Sequence, residues 1–176
     1  MRLMVIMIAA ALAIAGALPL AALAPNEGKE PAAAPADTLL DRVSGRWVAQ
    51  GNSFGPETVS ELDWAKTLDG RFYRIDYRIQ TAGNGRIIFA GTGHYRATKA
   101  KATSGYWADS GGELHPLSVR FTDDRIETIW GRADGKMGRT HYALESGDTA
   151  MRVTDWLLSP EGWRQFNTAL FTRRAP

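Results

Sequence analysis

The chain contains no cysteine, which excludes disulfide stapling, thiolate metal sites, a thiol nucleophile and a lipid-modified N-terminal cysteine. Excess charge is also missing. Lys and Arg total 21 against 19 Asp and Glu, a formal net charge of +2, too balanced for a protein held to nucleic acid by bulk charge. Histidine is scarce: His94, His115 and His141 are the three present, and none forms a His-x-His or His-x-x-x-His pair. No local zinc motif exists, and neither a metal nor a cofactor is expected. Long amphipathic helical periodicity is absent as well.

The one long apolar run is Met1 to Ala24, where Arg2 is the only charge. A basic start, an apolar stretch and small residues at Ala22 and Ala24 read as a secretory signal. Pro25 directly after that site disfavours cleavage, and the run is long enough to span a bilayer as an uncleaved anchor. The segment is therefore expected to be a signal peptide or an N-terminal membrane anchor. It gives a periplasmic or secreted location, with membrane contact only through that segment if it stays. Residues 25–36 carry three prolines and four alanines with nothing to pack, which makes an extended Ala/Pro-rich spacer.

Every aromatic residue lies from Trp47 onward, so residues 37–176 form the folded domain, about 140 residues and enough for one core. Turn signals recur at hairpin spacing: Asn52 to Pro56, Asp69-Gly70, Gly83-Asn84-Gly85, Thr98 to Thr103, Ser110-Gly111-Gly112, Asp123-Asp124, Asp134-Gly135, Ser146-Gly147-Asp148 and Ser159 to Gly162. These nine separate ten extended runs. Within the runs apolar residues alternate, as in Tyr73, Ile75, Tyr77 and Ile79 against Arg74, Asp76, Arg78 and Gln80. A strand with one wet and one dry face belongs to an antiparallel sheet. With no long helix to cover the dry face, the sheet must close on itself or pack on a second one. The expected fold is all-β, an antiparallel up-and-down meander β-barrel of about ten strands, with a β-sandwich as the alternative. One short helix is expected through Leu39, Leu40 and Val43, capped by Asp37 or Thr38 and ending at Gly45.

Gly45-Arg46-Trp47 puts a Gly-x-Trp at the start of the first strand. With Leu68-Asp69-Gly70-Arg71-Phe72, Gly93-His94-Tyr95, Gly105 to Ser110 and a last strand from Gly162-Trp163 to Arg173-Arg174, the chain resembles secreted bacterial lipocalin-like domains of unknown function, in the calycin superfamily. The resemblance covers most of residues 38–174. It implies that Arg173 or Arg174 covers the Trp47 indole, a cation–π contact, and an up-and-down barrel able to hold a small apolar ligand. It implies no established activity.

Other motifs read as structure. Asp109-Ser110-Gly111-Gly112 is similar to the stretch around a trypsin-like serine, but Glu113 follows where proline belongs, and the composition suits a turn. Gly91-Thr92-Gly93 lacks the third glycine and the helix of a dinucleotide loop, and these glycines are expected to relieve crowding where a strand bends.

Tyr73, Tyr77, Tyr95, Trp107, Trp130, Tyr142 and Trp156 all fall on or near inward phases. They build either a packed core or a cavity with a few convergent polar groups. His115 is in phase with Leu117, Val119 and Phe121, near a barrel mouth. His141 looks outward, and His94 alternates with Thr92 and Arg96. Asp109 shares phase with Trp107, and Arg132 with Trp130, so an inward Asp109–Arg132 pair is expected unless each lies at a wet strand end.

The leading functional expectation is non-covalent binding of a small, largely apolar molecule in the barrel. The candidate ligand-binding residues are Tyr77, Trp107, Asp109, His115, Trp130, Arg132 and Tyr142; no catalytic residue is assigned. The alternatives are a small enzyme using Asp109 or His115 as base, and a structural envelope module with a filled interior.

Overall fold

The computed structural model describes residues 38–52 and 55–175. The expectations for residues 1–24 and 25–36 lie outside the described residues, and so does Asp37. The short helix α1 (Leu39–Val43) is capped by Thr38. The Asp41 backbone N–H donates to the Thr38 hydroxyl at 3.3 Å, and the Thr38 backbone N–H donates to the Asp41 carboxylate at 3.0 Å. This reciprocal capping box lets so short a helix persist. Gly45 follows at φ +113°, where other residues would be strained.

Ten strands follow: β1 (Gly45–Gly51), β2 (Thr58–Thr67), β3 (Phe72–Thr81), β4 (Ile87–Arg96), β5 (Ala102–Asp109), β6 (Leu114–Phe121), β7 (Arg125–Gly131), β8 (Met137–Glu145), β9 (Ala150–Ser159) and β10 (Gly162–Arg173). Each pairs antiparallel with its sequence neighbour, and β10 closes on β1 through Trp47 opposite Arg173. The sheet is a single closed meander barrel, not a sandwich. All nine connections fall on the turn signals in the sequence.

The alternation sets what faces in. Leu62 stands opposite Tyr77 and Trp64 opposite Ile75; all four are buried, while the intervening Arg74 and Arg78 are exposed. Directly opposite residues share a face in an antiparallel ladder, so each hairpin extends the same dry interior.

The barrel end next to α1 is solid. Leu40, Val43, Trp47, Trp64, Tyr73, Ile126, Met151 and Phe171 are almost wholly buried there. The Trp47 indole N–H donates to the Val43 carbonyl at 2.7 Å, and the Arg173 guanidinium lies 4.1 Å from its ring centroid. Arg173 also donates to the carbonyls of Ser44 (2.6 Å), Asp148 (3.1 Å) and Arg42. Arg42 in turn pairs with the Asp148 carboxylate at 2.7 Å. Of the two arginines expected to cover Trp47, the structure selects Arg173.

Candidate functional site

The opposite half of the barrel encloses a cavity of about 360 Å³, toward the lower end of ligand-pocket sizes. Its apolar walls come from Tyr77 and Ile79 on β3, Phe89 on β4, Trp107 on β5, Leu117 on β6, Trp130 on β7 and Val153 and Leu157 on β9. Its mouth is polar, carrying Asp109, His115, Lys136 and Arg164.

Three glycines hold the walls in place. Gly93 stands opposite Trp107 and Gly138 opposite Trp130, and the indoles lie across backbone that carries no side chain. A Cβ at Gly91 would come 2.1 Å from Trp107, and one at Gly138 would come 2.0 Å from Trp130. Gly91 therefore relieves crowding as expected, and what crowds it is an indole: it is the seat for Trp107. The seated Trp107 stacks nearly parallel to Phe89, 6.4 Å between centroids.

The deep wall is polar. Asp155 on β9 is in phase with Val153 and Leu157 and lines the cavity. The Trp130 indole N–H donates to the Thr140 hydroxyl at 3.2 Å, and Thr140 donates to Asp155 Oδ1 at 2.6 Å. Asn167 Nδ2 donates to Asp155 Oδ2 at 2.9 Å. Burial pushes the Asp155 carboxyl above the ordinary 3.8, against the downward pull of Thr140 and Asn167. No Lys, Arg or His of the described residues contributes to holding it ionised. The Tyr77 hydroxyl is buried beside Ser60 and Asn167 and the Thr128 hydroxyl beside Tyr95, neither with a hydrogen bond of full geometry. Burial raises Tyr77 and Tyr142 and lifts Tyr95 to about 12, so all three phenols stay neutral at physiological pH.

Asn167 faces inward in phase with Phe171, and Arg164 does so because β10 is bulged. Asn167 stands opposite Asp155 and Gln165 opposite Trp156, leaving Phe166 as the extra residue. The bulge changes the phase of the strand, so Arg164 rather than Gln165 reaches the mouth.

Of the sequence candidates, Tyr77, Trp107, Asp109, His115, Trp130 and Tyr142 all line this cavity. Arg132 does not. It lies in the β7–β8 turn, with its side chain 73% exposed and paired to Asp134 at 3.1 Å, so the expected inward Asp109–Arg132 pair does not form. Trp156 is also displaced: it stands on the outer surface, with Arg139 at 4.4 Å and His141 at 4.7 Å from its ring. Both phases of β9 end in large apolar residues, Val153 and Leu157 against Trp156 and Leu158, and alternation alone left the choice open. The same ambiguity hid Asp155, although its two-residue offset from Val153 and Leu157 was the available signal.

At the mouth, Asp109 Oδ1 accepts from the Gly111 backbone N–H at 2.8 Å, confirming a turn at Asp109-Ser110-Gly111-Gly112. His115 Nε2 lies 2.7 Å from Glu113, whose carboxylate also accepts from Lys136 Nζ at 3.0 Å. Asp109, Glu113 and His115 can bring one ligand atom each within 4.8 Å of one another. Lys136 and the Asp109 turn already use two of these carboxylates. His94 and His141 stay outside; His94 stacks on Tyr106 at 4.9 Å.

Among known proteins, no family model matches the chain, and no curated protein matches it. Solved structures do: the crystal structure of Rv2717c from M. tuberculosis superposes with a TM-score of 0.58 at 15% identity, covering 77% of this chain and 95% of that one. Together with the closed ten-strand barrel, this defines a lipocalin-like barrel fold. No helix of the described residues is long and apolar enough to cross a membrane.

Proposed function

We propose that this protein binds a small, largely apolar molecule non-covalently inside the barrel, and does so outside the cytoplasm. The observation that carries the reading is the contrast within the barrel interior: side chains almost wholly buried beside α1 and a cavity of about 360 Å³ in the other half, the hollow against α1 being a polar surface groove along Thr98, Lys99, Lys101 and Asp123. A purely structural module gains nothing from a hollow interior, because unfilled volume forfeits dispersion contacts. Affinity comes from apolar burial, at about 25 cal/mol per Å², and the polar groups of the deep wall and mouth orient the guest. The resemblance to secreted lipocalin-like domains of the calycin superfamily supports the same reading. The apolar Met1–Ala24 segment supports export to the periplasm or beyond. Cell fractionation with N-terminal sequencing of the recovered protein checks that part.

The binding test is thermal shift and calorimetry against a panel of fatty acids, sterols, haem and substituted aromatics. At least one member is expected to raise the melting temperature, and Val153→Phe, which fills the cavity, is expected to abolish that rise. If no member binds and Val153→Phe melts higher than the parent, the interior is a packing defect and the reading fails.

A further inference from the structure

The cavity holds a carboxyl group arranged to receive protons and given no cation of its own. Indole N–H groups only donate, so the Trp130 contact makes the Thr140 hydroxyl an acceptor on that side and leaves its hydrogen for Asp155 Oδ1. The Asn167 amide supplies the other oxygen. Both oxygens of Asp155 are thus hydrogen-bonded as acceptors, the pattern of an anion, and each keeps a further lone pair. A buried carboxylate is ordinarily matched by a cation. Here Lys136 at the mouth is taken by Glu113, Arg164 at the mouth is exposed and forms no ion pair with Asp155, and Arg42 and Arg173 are committed at the opposite end of the barrel.

Resting on the interior as the binding site, we infer that its ligand is a small aromatic or aliphatic amine whose ammonium group pairs with Asp155. The surrounding rings favour the same charge. Tyr77, Phe89, Trp107 and Trp130 line the space in front of the carboxyl, and π faces attract cations while disfavouring anions. An ammonium at Asp155 also comes within the wall that holds the Tyr77 hydroxyl, which lies beside Ser60 and Asn167 without a hydrogen bond of full geometry and is a neutral acceptor. An anionic amphiphile would be placed differently, with its head at Arg164 in the mouth and only its tail inside.

The test compares three probes on one skeleton: 2-(1-naphthyl)ethylamine, 2-(1-naphthyl)ethanol and 1-naphthylacetate, titrated by calorimetry at pH 7. The amine is expected to bind about tenfold or more tighter than the alcohol, the scale of a charge-assisted over a neutral hydrogen bond, and the acid weakest. Asp155→Asn should bring the amine and alcohol to near-equal affinity while leaving alcohol binding in place. In the parent protein, the Asp155 carboxyl ¹³C resonance should move on adding amine and stay on adding alcohol, a readout that does not depend on the variant folding. Alcohol or acid binding as tightly as amine overturns the inference, as does an amine preference that survives in Asp155→Asn. Those outcomes leave the apolar cavity reading intact. Failure of the whole apolar panel defeats that reading instead.

Discussion

The two ends of this barrel solve the same packing problem in opposite ways. At the α1 end the charged groups are matched, although the Trp64 indole N–H is buried without a partner: Arg42 with Asp148, Arg173 with three carbonyls and an indole face, Asp41 with Lys66 at 2.6 Å and the Tyr73 hydroxyl at 2.6 Å. At the other end a carboxyl is buried without a cation, and two hydroxyls without a hydrogen bond of full geometry, beside empty volume. Buried polar groups lacking partners cost stability, so this end is less optimised for folding. Proteins tolerate such costs where a site needs them, and the solid end supplies the margin.

The sharpest way to break this comparison is to truncate one tryptophan at each end. Trp47→Ala removes a wholly buried ring together with its cation–π and hydrogen-bonded contacts, and should cost about 3–5 kcal/mol in urea unfolding. Trp107→Ala removes a ring that already faces a cavity and should cost clearly less. Equal losses would mean that the two ends do not differ in packing quality.

Next in size is Gly138→Ala. A Cβ there meets the Trp130 ring at 2.0 Å, so the indole must swing toward the cavity at about 1–3 kcal/mol. Gly135→Ala in the neighbouring turn, where a Cβ has open space, is the control and should be near neutral. Tryptophan fluorescence together with the melting temperature reads both. The same variant narrows the cavity, so a ligand found by thermal shift should bind it more weakly.

The solid end was the more legible of the two in sequence. The resemblance carried by Gly45-Arg46-Trp47 implied that Arg173 or Arg174 covers Trp47, and Thr38 with Leu39, Leu40 and Val43 gave the capped helix. Turn chemistry marked all nine connections, most directly at Asp69-Gly70, Asn84-Gly85 and Asp134-Gly135, whose pairs carry a backbone requirement that few other residues meet. The cavity end was legible where alternation was clean, as in β3, β6 and β7, which placed Tyr77, His115 and Trp130 correctly. It failed in β9 and β10. There the apolar residues occupy both phases, and the Phe166 bulge shifts the register by one residue. A bulge is a property of a strand and its partner together, and no single residue announces it. Arg132 failed for a related reason: extending the β7 phase past Gly131, which sits at φ +84°, carries it beyond the strand into the turn.

Asp41 and Asp155 sharpen the comparison through pH. Burial alone would raise Asp41, but hydrogen bonds from Lys66, Tyr73 and Thr38 outweigh it and hold the carboxyl at about 2 against an ordinary 3.8. A native value below the unfolded one contributes stability that is complete above about pH 4 and fades as pH falls toward 2. Asp41→Asn should therefore cost about 1–2 kcal/mol at pH 7, with the gap to the parent closing in acid. Chemical unfolding at pH 7 and pH 2.5 measures both.

Asp155 should show the opposite sign and the smallest effect. Its native value lies above the unfolded one because burial penalises the ionised form, so its cost is absent below pH 3.8 and grows as pH rises through the native value. The titratable groups facing it, Tyr77, Tyr95 and Tyr142, remain protonated throughout that range. Asp155→Asn keeps an acceptor for Thr140 and, with the Asn167 amide turned over, a partner for that residue as well. The substitution should leave stability unchanged at pH 3 and raise it by roughly 1 kcal/mol or less at pH 8. A variant that loses stability at pH 8 would show that the carboxylate has a cationic partner within the protein after all, and the two ends of the barrel would then be matched by the same rule.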